Sequence, residues 1–350
     1  MLLYINCRNY FKNRGKSSRN SKFAAIIQER YMAVASIGNE NLKPPQWQIY
    51  LAFAAVYIIW GSTYLGMKFA IETMPPFLMS ALRFTVAGFC LLIYCLVVKR
   101  MPFPTWQQLK TPVLTGFLLV MMGNGGMSYA EKTVPSSVAA LLVATTPLWF
   151  TALGWLFYGD RRPNLKMVSG LFLGMTGIVI LVGPSQLSGQ AIDLIGIIII
   201  MIGTLCWAFG SLYSAHTKNQ APPLVSTALQ MLIGGVFLFM LSFLLGDFKS
   251  FHVESISGKS LAALGYLIVF GSWIGYTSYS WLIRVVPPSQ ASTYAYVNPL
   301  VAVLLGWLLG GESVTYQMLV AGACILPGVI LILKSRPKNP VPETNPIEEQ

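Results

Sequence analysis

Arg83 offers the most chemistry in this chain, because it sits about two turns inside an apolar run where an ionised side chain is costly. Its guanidinium carries five donors and does not deprotonate, so it must find acceptors. Two readings fit it. It anchors a substrate carboxylate or phosphate in an internal cavity, or it is a structural fork held by helix-end carbonyls or drawn outward to the interface. Lys68, late in the preceding run, has a stem that reaches headgroups, with Glu72 four residues on to pair with it. Pro147 and Pro299 also lie inside apolar runs, where each removes an intrahelical bond. The freed carbonyl either lines a polar cavity or accompanies a kink needed only for packing, and Asn298 can bond a substrate or that opened backbone. Trp60-Gly61-Ser62-Thr63-Tyr64 combines an aromatic wall or gate with small residues and hydroxyls, and Trp207 heads a matching segment. Asn124, set among glycines, is costly unless bonded. Tyr294 and Tyr296 are two apart and point to different helix faces, so at most one faces a cavity.

Other chemistries lack their residues. The two histidines, His216 and His252, fall near loops, no HExxH occurs, and no Asp or Glu lies mid-run, which excludes the usual intramembrane enzymes. No GxxxxGK[ST] is present, so direct use of ATP is not expected. The cysteines show no CxxC and no pairing pattern, and no metal or other cofactor is expected. Proton coupling needs a titratable carboxylate in the path. The nearest candidates are Asp160 and Glu312, both at run ends, while Glu131 and Asp193 read as loop residues.

The elements that must position these residues are membrane helices. The 350-residue chain is 55% hydrophobic and 10% charged, where soluble domains carry about a quarter charged. Its apolar runs are about 20 residues long, the length that crosses a bilayer core, and only helices satisfy their own backbone there. Ten spans are expected, at 49–71, 77–98, 112–130, 135–158, 164–183, 194–214, 223–245, 261–284, 288–310 and 315–334. Residues 1–48 form a basic tail, read as a disordered cytoplasmic segment, as an extension ahead of Met32, or as a targeting peptide. Residues 335–350 form the C-terminal tail. The net charge of +12 sits beside the spans, which points to membrane lipid rather than nucleic acid.

The membrane half is written twice. Shifting Ser128–Leu181 by 152 residues lays Val134-Pro135 on Val286-Pro287, Pro147-Leu148 on Pro299-Leu300, and Gly170 on Gly322. A shift of 147 lays Trp60 on Trp207, Arg83 on Gln230 and Gly88 on Gly235. The first copy is residues 49–183 and the second 194–334. Five helices is an odd number, so the second copy runs inverted. The charges agree: Gly159-Asp160-Arg161-Arg162 is basic, and its counterpart, Gly310-Gly311-Glu312-Ser313, has no Lys or Arg. Lys99, Arg100, Lys110, Lys166, Lys218, Arg284 and Lys334 gather on the side of both termini, which the positive-inside rule makes cytoplasmic. The fold class is an all-α membrane protein of ten helices in two inverted five-helix repeats, an arrangement that marks alternating-access carriers.

Tyr57-Ile58-Ile59-Trp60-Gly61-Ser62-Thr63-Tyr64, Arg83-Phe84 with Ala87-Gly88, Gly123-Asn124-Gly125, and Tyr294-Ala295-Tyr296-Val297-Asn298-Pro299 with Gly306 and Gly311-Glu312 together resemble the EamA family. This family belongs to the drug/metabolite transporter superfamily, and the likeness covers residues 48–335, nearest to its YedA-like bacterial inner-membrane members. The resemblance implies a ten-span carrier that exports a small metabolite, amino acid or drug. A lipid or lipid-intermediate flippase of the same architecture is the alternative. The expected partner is a small-molecule substrate, and a homodimer is open to the chain.

Overall fold

The computed structural model describes residues 44–134, 136–160, 162–182, 193–217, 221–310 and 315–335. The tails, Arg161 and Glu312 lie outside the described residues. The helical bundle is the unit that begins at Gln46.

Among the described residues every regular element is a helix. In chain order they are α1 (Gln46–Ala70), α2 (Pro76–Val98), α3 (Trp106–Ala130), α4 (Ser136–Val143), α5 (Thr146–Phe157), α6 (Leu165–Val182), α7 (Leu194–His216), α8 (Pro223–Leu244), α9 (Gly258–Val285), α10 (Pro288–Ala291), α11 (Tyr294–Gly310) and α12 (Tyr316–Lys334), besides short turns after α8. Eight of these, α1, α2, α3, α6, α7, α8, α9 and α12, are each long and apolar enough to cross a membrane. The expected fourth and ninth spans are each broken in two, as α4 with α5 and α10 with α11. Pro147 lies in the first turn of α5, just past its break, where a missing N–H costs nothing. Pro299 lies inside α11, and the break at Ser292-Thr293 comes earlier. The prolines are repeat-equivalent; the discontinuities are not.

The third and eighth spans begin earlier than hydropathy predicts. Thr105 and Gln108 form a reciprocal cap on α3, and the Ser257 hydroxyl accepts from the Ser260 N–H at the start of α9. Those caps tie a polar first turn into each helix. Both spans then widen into π-helical turns at equivalent places, Gly116–Gly125 in α3 and Leu267–Tyr276 in α9. Such turns are rare and gather at functional sites.

Large apolar side chains such as Phe172, Phe243 and Leu308 point out of the bundle, as a lipid-facing surface requires. Inside, matching helices of the two copies pack together, α2 along α8 and α6 along α12. Glycine sets both distances. A Cβ on Gly88 would lie 2.4 Å from the Leu232 nitrogen, and one on Gly235 would lie 2.7 Å from the Thr85 nitrogen. In the other pair, a Cβ on Gly170 would come within 2.7 Å of the Gly328 oxygen, and one on Gly328 within 2.8 Å of the Gly174 nitrogen. Gly322 breaks the symmetry, because open space surrounds it. Gly88→Ala is therefore expected to cost roughly 1–3 kcal/mol by overpacking against backbone that cannot yield. Gly322→Ala is expected to leave stability unchanged or slightly raised. Thermal unfolding of the two purified variants in one detergent checks the contrast, and equal midpoints would defeat it.

Candidate substrate cavity

A cavity of about 740 Å³, counting the solvent it opens to, lies between α1, α2, α3, α4, α5, α7, α9 and α11. Its wall is built from equivalent positions of the two copies. Trp60 faces Trp207, with ring centroids 5.6 Å apart and edge-on. Thr146 and Asn298, which precede the two equivalent prolines, both line it. At the same 152-residue shift Asn124 corresponds to Tyr276, and both line it from the two π-helical segments. The wide turns explain how they do so. The Asn124 amide donates to the Leu119 carbonyl five residues back at 3.1 Å, and the Gly271 carbonyl accepts from Trp60 Nε1 at 3.2 Å.

Arg83 is 3% exposed and borders the cavity. Its Nε donates to Ser272 Oγ at 2.9 Å, and its terminal nitrogens have no hydrogen-bond partner among the described residues. They rest against Gly271, where an added Cβ would lie 2.7 Å from Nη2. The hydroxyl of Tyr276, a second cavity residue, is buried and also without a partner among the described residues. The fork reading of Arg83 is thus met on one side only, by Ser272, and the other donors remain for a ligand. Guanidinium nitrogens and a phenol without partners among the described residues, in an aromatic chamber, suit a molecule with an apolar body and one anionic group.

Toward the end of the bundle where α1 begins, aromatic side chains close the floor. Trp60 lies 5.0 Å from both Tyr279 and Tyr294, ring centre to ring centre. The Tyr279 hydroxyl accepts from Trp207 Nε1 at 2.8 Å and meets Ser211 Oγ at 2.7 Å. Tyr57 and Thr293 bond at 2.6 Å across the floor, and the Asn298 amide, oriented to satisfy it, donates to the Tyr294 and Tyr57 carbonyls at 3.1 and 3.2 Å.

The structure sorts the expected site residues. Arg83, Trp60, Thr63, Tyr64, Asn124, Trp207, Tyr294 and Asn298 line the cavity. Ser62 turns away and bonds the Ile59 carbonyl and the Tyr266 hydroxyl. Tyr296 also turns away, donating to the Leu171 carbonyl of α6 at 3.3 Å, so only Tyr294 of that pair reaches the cavity. Pro147 and Pro299 are buried behind the lining, and their neighbours Thr146 and Asn298 face in. Asp160 pairs with His216 at 3.6 Å and is partly exposed, away from the lining residues. Glu72 pairs with Lys259 at 2.8 Å rather than with Lys68, which is exposed. Sequence reasoning passed over Thr146 and Tyr276, although the repeat shift already joins them to Asn298 and Asn124. It also placed Glu131 in a loop; that residue follows α3 in a turn, but its side chain goes inward, with Oε2 buried.

Comparison with known proteins agrees with this architecture. The EamA-like transporter family matches residues 46–183 and 194–334. The chain is 40% identical over 282 residues to the "Uncharacterized inner membrane transporter YedA" of Escherichia coli (strain K12), covering 80% of this chain and 89% of that one. It is 23% identical over 289 residues to the "Uncharacterized transporter YoaV" of Bacillus subtilis (strain 168), covering 81% of this chain and 96% of that one. A solved structure described as "Crystal structure of protein" shares the fold, with a TM-score of 0.65 at 19% identity over 81% of this chain and 96% of that one.

Proposed function

The chain belongs to the EamA-like transporter family, and from that premise we propose that it is a secondary carrier of the bacterial inner membrane that exports a small amphiphilic metabolite, amino acid or drug. The observation that carries this reading is the terminal nitrogens of Arg83 and the hydroxyl of Tyr276, without partners among the described residues, at a cavity walled by equivalent residues of the two copies. The cargo's anionic group meets Arg83, and its apolar body lies against Trp60, Trp207 and Tyr294. Ten spans in two inverted five-helix repeats, 49–183 and 194–334, provide the alternating access, with both termini in the cytoplasm. In that orientation the floor of Tyr57, Thr293, Tyr279 and Ser211 is the cytoplasmic closure, and opening it requires breaking those bonds. The broken fourth and ninth spans support such a motion, since helix breaks beside the path are common in carriers.

The alternative is a lipid or lipid-intermediate flippase of the same architecture. Reconstitution separates the two. Proteoliposomes are expected to pass a labelled N-acetylated aromatic amino acid or an aromatic sulfonate, and to leave a fluorescent phospholipid on its original leaflet. Lipid crossing without solute flux would overturn the carrier reading in favour of the flippase.

A further inference from the structure

Glu131 follows directly on Ala130, the last residue of α3, and lies one turn beyond Met127 of the cavity lining. Its Oε2 is shut off from solvent and has no hydrogen-bond partner among the described residues. Lys68 and Tyr64 on α1 and Arg83 on α2 lie within electrostatic reach of it. On its own segment Lys132 is exposed. From α7, Asp193 approaches the same turn, but its carboxylate is taken up by the Thr133 hydroxyl and the Ile195 N–H. An ionised carboxylate is poorly served at this place. Oε2 has no donor to accept from among the described residues, and the last carbonyls of α3 turn the negative end of the helix toward the carboxylate. Burial pushes the Glu131 carboxyl up to about 8, against the downward pull of Arg83 and then of Lys68.

We propose that Glu131 is the proton-binding group of the carrier, neutral when Arg83 holds an anionic cargo and, on the alkaline side, ionised when Arg83 is empty. The proposal rests on Arg83 as the anion anchor. Two negative groups beside one guanidinium repel each other, so binding the anion and binding the proton are mutually favourable. The proton comes from bulk water as the anion binds and returns to it as the anion leaves. In that alkaline range a monoanion crosses with one proton and no net charge. The membrane potential does not act on that loaded step; an inward proton gradient opposes efflux, which the cargo's own outward gradient drives.

The sign of the pH effect follows. Where Glu131 is protonated, anion affinity is at its plateau. Above that range affinity falls about tenfold per pH unit, because each anion bound must bring a proton with it.

The test uses the purified full-length chain and 2-naphthalenesulfonate, whose sulfonate stays ionised throughout, so any pH dependence belongs to the protein. Equilibrium binding is expected to be flat below about pH 8 and to weaken above it. In that upper range about one proton is expected to be taken up per sulfonate bound, read with an indicator dye in weak buffer. Glu131→Gln is expected to hold the plateau affinity at every pH and to abolish the uptake. Affinity independent of pH in the wild type, absence of proton uptake, or a pH dependence that survives Glu131→Gln would overturn the proposal and leave the anchor standing. The wild-type uptake decides the matter even if the variant does not fold. No binding by the wild type, or equal binding by Arg83→Gln, would overturn the anchor first and this proposal with it.

Discussion

Arg83→Gln is expected to lower the flux of an amphiphilic anion roughly 10- to 100-fold while the amount of protein in the membrane stays unchanged. The size follows from losing a charge-assisted contact, worth about 1.5–3 kcal/mol. The unchanged abundance follows from the structure. Among the described residues Arg83 makes one side-chain hydrogen bond, to Ser272, and Gln can still approach that hydroxyl. The second copy already holds a buried glutamine at the equivalent position, Gln230. Arg83→Lys keeps the charge but loses the planar fork, so an intermediate flux is expected. Initial rates in proteoliposomes, normalised to protein, measure all three. Undiminished flux in Arg83→Gln would remove this residue from the site. Loss of the protein from the membrane would return it to a structural fork.

Gly271→Ala reaches the same guanidinium without touching it chemically. The new Cβ would lie 2.7 Å from Arg83 Nη2 and 3.2 Å from Thr63 Cγ2. The guanidinium is the far end of a flexible side chain, so it moves rather than the backbone. A displacement of about 1 Å is enough to spoil a directed hydrogen bond. Flux is expected to fall roughly tenfold, with a stability change within about 1–2 kcal/mol. Gly265→Ala, at a glycine of the same helix with nothing within 4 Å, is the control and is expected to transport as the wild type. If Gly271→Ala transports as well as the control, Arg83 does not rest on Gly271 in the working carrier.

Much of this was legible from residues alone, and the reason is the solvent. In hydrocarbon a polar side chain is expensive, so Arg83, Asn124 and Asn298 announced themselves by sitting in apolar runs, and all three border the cavity. Trp60 and Trp207 were marked by the repeat, and they meet across the cavity. Tyr294 and Tyr296 were known to diverge because residues two apart on a helix lie on different faces. Which of them faces the cavity was settled by α6, whose Gly174 leaves room for the Tyr296 ring. Ser62 shows the limit of such reading. Its neighbours Trp60, Thr63 and Tyr64 line the cavity, but its hydroxyl is drawn off to Tyr266 of α9, a partner 204 residues away.

Composition and the length of the apolar runs therefore determined the all-helical membrane class and where eight spans lie, because the bilayer imposes length and polarity on each helix separately. Contacts between helices decided the rest. The π-helical turns that bring Asn124 and Tyr276 inward are absent from any local pattern, since they depend on what packs against α3 and α9. Glu131 looked like a loop residue because burial is a property of three dimensions: one residue past the end of a helix is wet or dry according to which neighbours close over it, and here α1 and α2 bring the charges that face it.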